Sequence, residues 1–288
     1  MSIRAAALAR LSAVCLLTSG AGLADQARID RGEYLLHASG CTGCHTAEGD
    51  DARPLAGGRA LDTPFGTFYT PNITPDVETG IGSWTDDTFI DALWEGVGPE
   101  GDYYPAFPYP SYTGMSRQDA LAIKAYLFSI EPVSQPNREH ELEWYLFTRL
   151  AAWSWKLMNF TPGRFTPDPA RDAAWNRGAY LARHLGHCGE CHTPRDDDGK
   201  IQTGHELAGN PDGPEGKKVP DITPNRETGI GRWSTDEIEL FLEMGMMPDG
   251  DFAGGAMSRV IDDNTSRLVP ADRHAIALYL KTVPESGT

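Results

Sequence analysis

Apolar positions recur at helical intervals in stretches that come in pairs. From about Arg117 to Ser129, Leu121, Ala122, Ala125 and Leu127 keep roughly helical spacing, which predicts a helix. A second predicted helix runs from about Ala271 to Thr282, where Ala275-Ile276 and Tyr279-Leu280 repeat Ala122-Ile123 and Tyr126-Leu127. Shorter helices are predicted from Asp30 to about Ser39 and from Asn176 to about Leu185. Two more begin after Trp84 and after Trp233. Ser234-Thr235-Asp236-Glu237 has the form of a capping box; Thr85 can cap the earlier copy, but Thr88 stands where the box wants Glu or Gln. Between these helices the chain is rich in Gly and Pro and is expected to be irregular. From Asn137 to about Phe165, Trp144, Leu146, Phe147, Leu150, Trp153, Leu157 and Met158 recur at near-helical intervals behind a charged start, Arg138-Glu139-His140-Glu141. This predicts an aromatic-rich connecting helix, either packed across both flanking regions or offering a docking face to a partner or a membrane surface. Pro162, Pro167 and Pro169 then stiffen the way out.

The pairing extends beyond helices. Arg31-Gly32-Glu33-Tyr34-Leu35 returns as Arg177-Gly178-Ala179-Tyr180-Leu181, and Leu55-Ala56-Gly57 as Leu207-Ala208-Gly209. Ile73-Thr74-Pro75, Thr79-Gly80-Ile81-Gly82 and Trp84 return as Ile222-Thr223-Pro224, Thr228-Gly229-Ile230-Gly231 and Trp233. The chain therefore reads as a duplication, with expected boundaries at 25–133 and 173–288 and a helical linker at 134–172.

Each copy carries one five-residue motif, Cys41-Thr42-Gly43-Cys44-His45 and Cys188-Gly189-Glu190-Cys191-His192. C-x-x-C-H is the attachment signature of c-type haem. Two thiols three positions apart on a tight turn can each add to one vinyl group, and the next residue offers an imidazole to the iron. A redox dithiol has no use for that His, and a zinc site would have to join two distant motifs and leave both His residues idle. Two covalent haems are expected, on Cys41 and Cys44 and on Cys188 and Cys191, with His45 and His192 as proximal ligands. So much irregular chain would be hard to stabilise by side chains alone, because small domains bury little surface; a haem supplies a large apolar face.

Composition adds a compartment and a charge. Residues 1–24 have a basic start at Arg4, a short apolar run to Leu17 and small residues up to Ala24, the form of a cleaved secretory signal peptide. The run is too short to cross a bilayer, and no other segment could span one. The fifth cysteine, Cys15, falls inside this leader. The formal charge is −16 over 288 residues, and loss of the leader with Arg4 and Arg10 leaves about −18. This charge argues against nucleic acid and against an anionic lipid surface; a partner with a basic patch fits, and so does a merely solubilising surface. Asp196-Asp197-Asp198-Gly199 lacks the spacing of a calcium loop and reads as a solvated turn.

The motifs, the ordered repeats and the final helices together resemble class I cytochrome c domains. Leu61-Asp62-Thr63-Pro64-Phe65-Gly66-Thr67, the stretch from Asn72 to Trp84, Tyr104-Pro105-Ala106-Phe107-Pro108-Tyr109 and Trp175 to Leu181 are similar to the cytochrome c subunits of periplasmic membrane-bound dehydrogenases for alcohol, gluconate and nicotinate. Many such subunits carry three haem domains and a C-terminal membrane-associating segment, whereas two haem motifs stand here. The resemblance implies a mainly α protein, two tandem class I cytochrome c domains joined by the linker. It also implies that Gly32 and Gly178 let the first helix of each copy cross the last, near Tyr126 and Tyr279; the bland alternative is that each Gly merely starts its helix.

An electron-transfer haem needs a sixth ligand, commonly a Met thioether. Met115 is the one methionine between the first motif and the linker. The second copy offers Met244, Met246, Met247 and Met257; Met257, in the flexible run Gly254-Gly255-Ala256-Met257, is favoured, with the other three lining the pocket. His187, directly ahead of Cys188, is expected to face solvent. These expectations describe a periplasmic dihaem electron carrier between a dehydrogenase and a downstream cytochrome or oxidase, with peripheral membrane association open. The rivals are a dihaem redox enzyme of peroxidase or thiosulfate-oxidising type, and a haem protein that binds a small ligand.

Overall fold

The structure is a computed structural model and describes residues 22–146 and 149–284. The expected signal peptide lies outside the described residues up to position 21. Helix α1 (22–38) leads into α2 (Cys41–His45). It begins earlier than the apolar pattern predicted, because Ala24 and Ala27 favour helix and the Arg28 guanidinium donates to the Leu121 carbonyl at 3.0 Å. After α2 come strands β1 (Ala60–Thr63) and β2 (Gly66–Tyr69), helix α3 (Asp86–Glu95), the small hairpin β3 (Val97–Gly98) and β4 (Gly101–Asp102), then α4 (Tyr109–Tyr112) and α5 (Arg117–Leu127). The middle of the chain supplies β5 (Glu141–Leu142) and α6 (Arg149–Asn159). The second copy contributes α7 (Ala173–Tyr180), a π-turn over Leu181–Leu185, α8 (Gly189–His192), α9 (Thr235–Met244), α10 (Ala256–Asp263) and α11 (Pro270–Leu280).

The capping chemistry decides where helices begin. Thr85 accepts from Thr88 N without a full box, while Ser234 and Glu237 exchange bonds as a complete capping box. The two glycine crossings are real. A Cβ on Gly32 would lie 1.9 Å from the Ala122 carbonyl oxygen, and one on Gly178 the same distance from the Ala275 carbonyl oxygen. Only a missing side chain lets α1 cross α5, and α7 cross α11, this closely.

Two expectations need correction. The chain after the first motif is not wholly irregular: β1 and β2 pair antiparallel, from Ala60 opposite Tyr69 to Thr63 opposite Gly66. The connecting helix does not reach back to Asn137 either. Its charged start becomes the edge strand β5, with Glu141 opposite Thr67 and Leu142 opposite Gly66. Gly66 has φ 113, and a Cβ there would meet the Glu141 carbonyl oxygen at 2.3 Å, so glycine permits the pairing. Strand pairing and the Tyr69 N to His140 Nδ1 bond (3.1 Å) outcompete helix over this stretch.

Helix α6 is mounted with its polarity reversed. Fully buried Ala152 packs on Phe68 and Tyr104. Lys156 turns inward, bonding the Gly96 carbonyl at 3.1 Å and ion-pairing with Asp102. Trp155 Nε1 donates to the Asp198 carbonyl at 2.8 Å. Leu150, Trp153, Leu157 and Met158 face outward, beside an exposed Trp144, with Leu157 69% and Met158 70% exposed. The helix thus touches both flanking regions, as the first reading of this segment expects, and it also leaves an apolar stripe exposed.

The copies are locked together by a reciprocal exchange. Asp119 is held by Arg31 of its own copy and receives the Tyr180 hydroxyl of the other at 2.7 Å. Asp272 is held by Arg177 of its own copy and receives the Tyr34 hydroxyl at 2.6 Å. Each tyrosine oxygen also accepts a backbone N–H where the last helix of the other copy starts, from Ser116 at 3.0 Å and from Val269 at 3.3 Å. Both aspartates are buried, 3% and 9% exposed, so these bonds replace the water each carboxylate loses. One apolar cluster runs through both copies, from Leu35 and Ile123 to Leu181 and Ile276.

Candidate metal centres

Each motif is a single short turn that places two thiols and an imidazole together. Gly40, with φ 68, opens α2, and the chain leaves it through extended Thr46. His45 Nδ1 lies 2.8 Å from the Pro71 carbonyl oxygen, and His192 Nδ1 2.8 Å from the Pro220 carbonyl oxygen. A carbonyl only accepts, so Nδ1 carries the proton in both rings and the Nε2 lone pair is left free to bind a metal. Burial pushes both imidazoles below the ordinary histidine range, against the opposing pull of the proline carbonyl, which keeps them in the neutral, ligating form.

The carbonyls are held in place by matching loops. The His45 carbonyl accepts from Gly57 N at 2.7 Å, and that of His192 from Gly209 N at 2.8 Å. Leu55 and Leu207 both sit in the left-handed region, at φ 62 and φ 63. This is costly for a side chain of that kind. It is enforced by bonds from Leu55 N to Thr46 Oγ1 and from Leu207 N to Thr193 Oγ1, and by Ile73 N and Ile222 N donating back to the two leucine carbonyls. Strain at the same place in both copies supports one requirement, a fixed carbonyl beneath each His.

The four thiols are unpaired with one another. Burial pushes Cys41 and Cys188 up to about 12 and Cys191 up to about 11, and raises Cys44 as well. Such thiols have no thiolate character for disulfide exchange. No three of His, Cys, Asp or Glu gather to hold a bare metal ion among the described residues. Two thiols a turn apart, a neutral imidazole with a free Nε2 and apolar surroundings fit a covalently attached haem on each motif.

The methionines divide sharply. Met115 is fully buried in the apolar cluster that Cys41 borders, and its carbonyl accepts Trp94 Nε1–H at 2.9 Å. Met257 is half-buried and lies in the first turn of α10, not in a flexible loop as expected; Gly255, at φ 59 and ψ −136, ends the loop two residues earlier. Met257 stands outside the apolar cluster that borders Cys188. Met244 is 51% exposed at the end of α9, whereas Met246 and Met247 are half-buried.

His187 does not face solvent. It takes a left-handed φ of 38 and turns its ring onto Tyr112, centroids 5.5 Å apart and nearly perpendicular. The Tyr112 hydroxyl donates to the Ser39 carbonyl at 2.6 Å, so this aromatic pair fills the space between the two attachment turns. Glu190, inside the second motif, accepts from Ser111 Oγ of the first copy at 2.6 Å and ion-pairs with Arg195. Sequence reasoning missed Tyr34, Tyr180, Asp119, Asp272 and His184. The repeated Arg-Gly-x-Tyr was visible, and an Asp at the third position of each last helix was the signal for its partner.

A profile described as Cytochrome c matches residues 29–131. The chain is 42% identical over 274 residues to a "Diheme cytochrome c-type" protein of Cereibacter sphaeroides, covering 92% of this chain and 88% of that one. It is 38% identical to the gluconate 2-dehydrogenase cytochrome c subunit of Pantoea cypripedii, covering 90% and 60% of the two chains. It is 37% identical to the alcohol dehydrogenase (quinone) cytochrome c subunit of Gluconacetobacter polyoxogenes, covering 91% and 57%. The chain thus spans 57% to 60% of the length of these two dehydrogenase subunits.

Proposed function

This chain belongs to the dihaem c-type cytochromes, electron-transfer proteins with two covalently bound haems, and we propose that Cys41 and Cys44 attach one haem and Cys188 and Cys191 the other. His45 and Met115 ligate the first iron, His192 and Met257 the second. The functional units are two class I cytochrome c domains, 25–133 and 173–288, joined by the segment 134–172. Each haem, when bound, supplies one-electron chemistry. The chain's own residues fix the ligand set, hold each proximal imidazole by its Nδ1–H, and exclude water from Met115.

The protein accepts electrons from a dehydrogenase and passes them to a downstream cytochrome or oxidase, after export to the periplasm by residues 1–24. The dehydrogenase donor is supported by the similarity to gluconate and alcohol dehydrogenase subunits. No helix is long and apolar enough to cross a membrane among the described residues. The observation that carries the haem assignment is the pair of equal 2.8 Å bonds from His45 and His192 to repeat-equivalent proline carbonyls.

The test is spectroscopic. The oxidised protein should show the weak near-infrared sulfur-to-iron band at the strength of two His/Met haems. Met115→Ala removes about half of it and opens one haem to carbon monoxide; Met257→Ala does the same to the other. If Met257→Ala leaves the band intact, the second ligand is to be sought at Met244, Met246 or Met247. A wild-type protein that already binds carbon monoxide at one haem would point instead to a dihaem redox enzyme with an open sixth position.

A further inference from the structure

The loop that carries Met115 is gripped from the other copy. Ser116, the next residue, donates its N–H to the Tyr180 hydroxyl at 3.0 Å, and that hydroxyl donates in turn to Asp119 Oδ2 at 2.7 Å. His184 Nδ1 lies 2.9 Å from the Ser111 carbonyl oxygen at the loop's other end. Gly114 lies flat on the same imidazole, since a Cβ there would sit 2.1 Å from His184 Nδ1. Both residues adjoining Met115 are therefore placed by side chains of α7 and the π-turn.

These side chains belong to one short rigid piece. Tyr180 ends α7, and His184 lies in the π-turn, closed by Gly186 N to the Leu181 carbonyl at 2.7 Å. Cys188 N then bonds the Ala182 carbonyl at 2.9 Å. Turns of this wider kind gather at functional sites. This one accommodates an extra residue, for Tyr180 stands eight positions ahead of Cys188 and Tyr34 seven ahead of Cys41. One end of the piece touches the Met115 loop and the other carries the second attachment motif.

We propose that Tyr180 and His184 are positioning residues for the first haem's sixth ligand, so that the second copy sets the ligation and the reduction potential of the haem in the first. This rests on Met115 being that ligand. The reverse grip is weaker by construction. Tyr34 makes the same two bonds, but to Asp272 and Val269 N, and His37 Nδ1 contacts the Asp263 carbonyl oxygen at 3.1 Å. None of these residues adjoins Met257, which lies at the opposite end of α10 from Asp263.

Tyr34→Phe is therefore a built-in control for Tyr180→Phe. Both are made in the full-length, haem-loaded protein and read by the near-infrared band, carbon monoxide binding and potentiometric titration. Tyr180→Phe is expected to raise the carbon monoxide-bound fraction at one haem about five-fold at low gas pressure, the factor for losing, of the hydroxyl's two bonds, the one from Ser116 N that holds the Met115 loop. It weakens that haem's share of the band and lowers its potential, leaving the other haem unchanged. Tyr34→Phe loses similar resistance to urea and changes neither haem. If Tyr180→Phe does not fold, Gly114→Ala serves with the same readouts, because its Cβ drives the loop off the His184 ring. Wild-type ligation in the folded variant, or an equal response to Tyr34→Phe, overturns the proposal. Met115→Ala separates the two claims. An intact band there removes the ligand assignment and the positioning role with it. A halved band alongside an unchanged Tyr180→Phe removes the positioning role alone.

Discussion

Replacing Gly32 with Ala sets two physical effects against each other, and they differ in sign. Helix propensity favours the change by about 1 kcal/mol, because Ala gives up less backbone freedom than Gly in a helix. Packing opposes it. The new Cβ would lie 1.9 Å from the Ala122 carbonyl oxygen, 2.6 Å from its carbonyl carbon and 2.9 Å from Tyr126 Cβ. Nonbonded atoms settle at about 3.5 Å or more, so α1 and α5 must part by more than an ångström. The closest obstacle is backbone, which cannot rotate aside, and the crossing is flanked by fully or nearly buried Leu35, Leu36 and Ile123. Overpacking of this kind costs roughly 1–3 kcal/mol, with the upper end appropriate to a rigid neighbour. The net expectation is a loss of about 2 kcal/mol. Equilibrium urea unfolding of the haem-loaded protein measures it. With a slope of about 2–3 kcal/mol/M, the midpoint should fall by about 0.7–1 M. Gly178→Ala should match it, since its Cβ would also lie 1.9 Å from a carbonyl oxygen, that of Ala275. An unchanged or higher midpoint for either variant would mean that the crossings are looser than described.

The Asp272 interlock predicts an acid limit. Burial alone would raise this carboxyl, but hydrogen bonds from Arg177 and Tyr34 hold it below the ordinary carboxylate range. Its contribution is complete above the ordinary Asp value of about 3.9 and is lost as pH falls through the depressed native value. Urea midpoints should stay level in this respect from pH 7 to about 5 and drop below about 4, and Asp272→Asn should flatten part of that drop. The stripe on α6 predicts the opposite of a core: Trp153→Ser with Leu157→Ser should move the urea midpoint by less than the equivalent of about 0.5 kcal/mol, yet shorten retention on a hydrophobic-interaction column.

What was legible in the sequence is what local chemistry decides. The attachment turns and the Ser234 box depend on residues close in the chain and are found where the pattern placed them, and the helix-crossing glycines, which depend on a missing side chain, are found where the family resemblance implied them. The β1–β2–β5 sheet was not legible. Its strands have two to four residues, too short for alternation to register, and β5 exists only because β2 offers it an edge. The charged run from Arg138 to Glu141 satisfies a helix start equally well until Tyr69 N claims His140. His187 was misplaced for a related reason. A polar residue beside an attachment motif suggests solvent, and only the arrival of Tyr112 from the other copy turns it inward. For the proposed haem sites, the Cys and His residues followed from the C-x-x-C-H spacing, whereas the proposed ligand Met257 was one of four methionines, with no local rule to rank a helix start above a loop.

The exchange of Tyr34 and Tyr180 has the form of an isologous contact: residue i of one body meets residue j of the other, and j meets i. That is how two identical subunits pair about a two-fold axis, here written into a single chain. A true homodimer comes apart on dilution, because its stability depends on protomer concentration. A covalent tether replaces that dependence with a fixed effective concentration, so this pair stays engaged at any expression level. Fusion also frees the two faces to diverge. A substitution in a homodimer acts twice, but here Ser116 and Val269 occupy equivalent helix starts, and only Ser116 caps its helix with a side chain. Broken symmetry of this kind lets two redox centres built from one repeat acquire different properties.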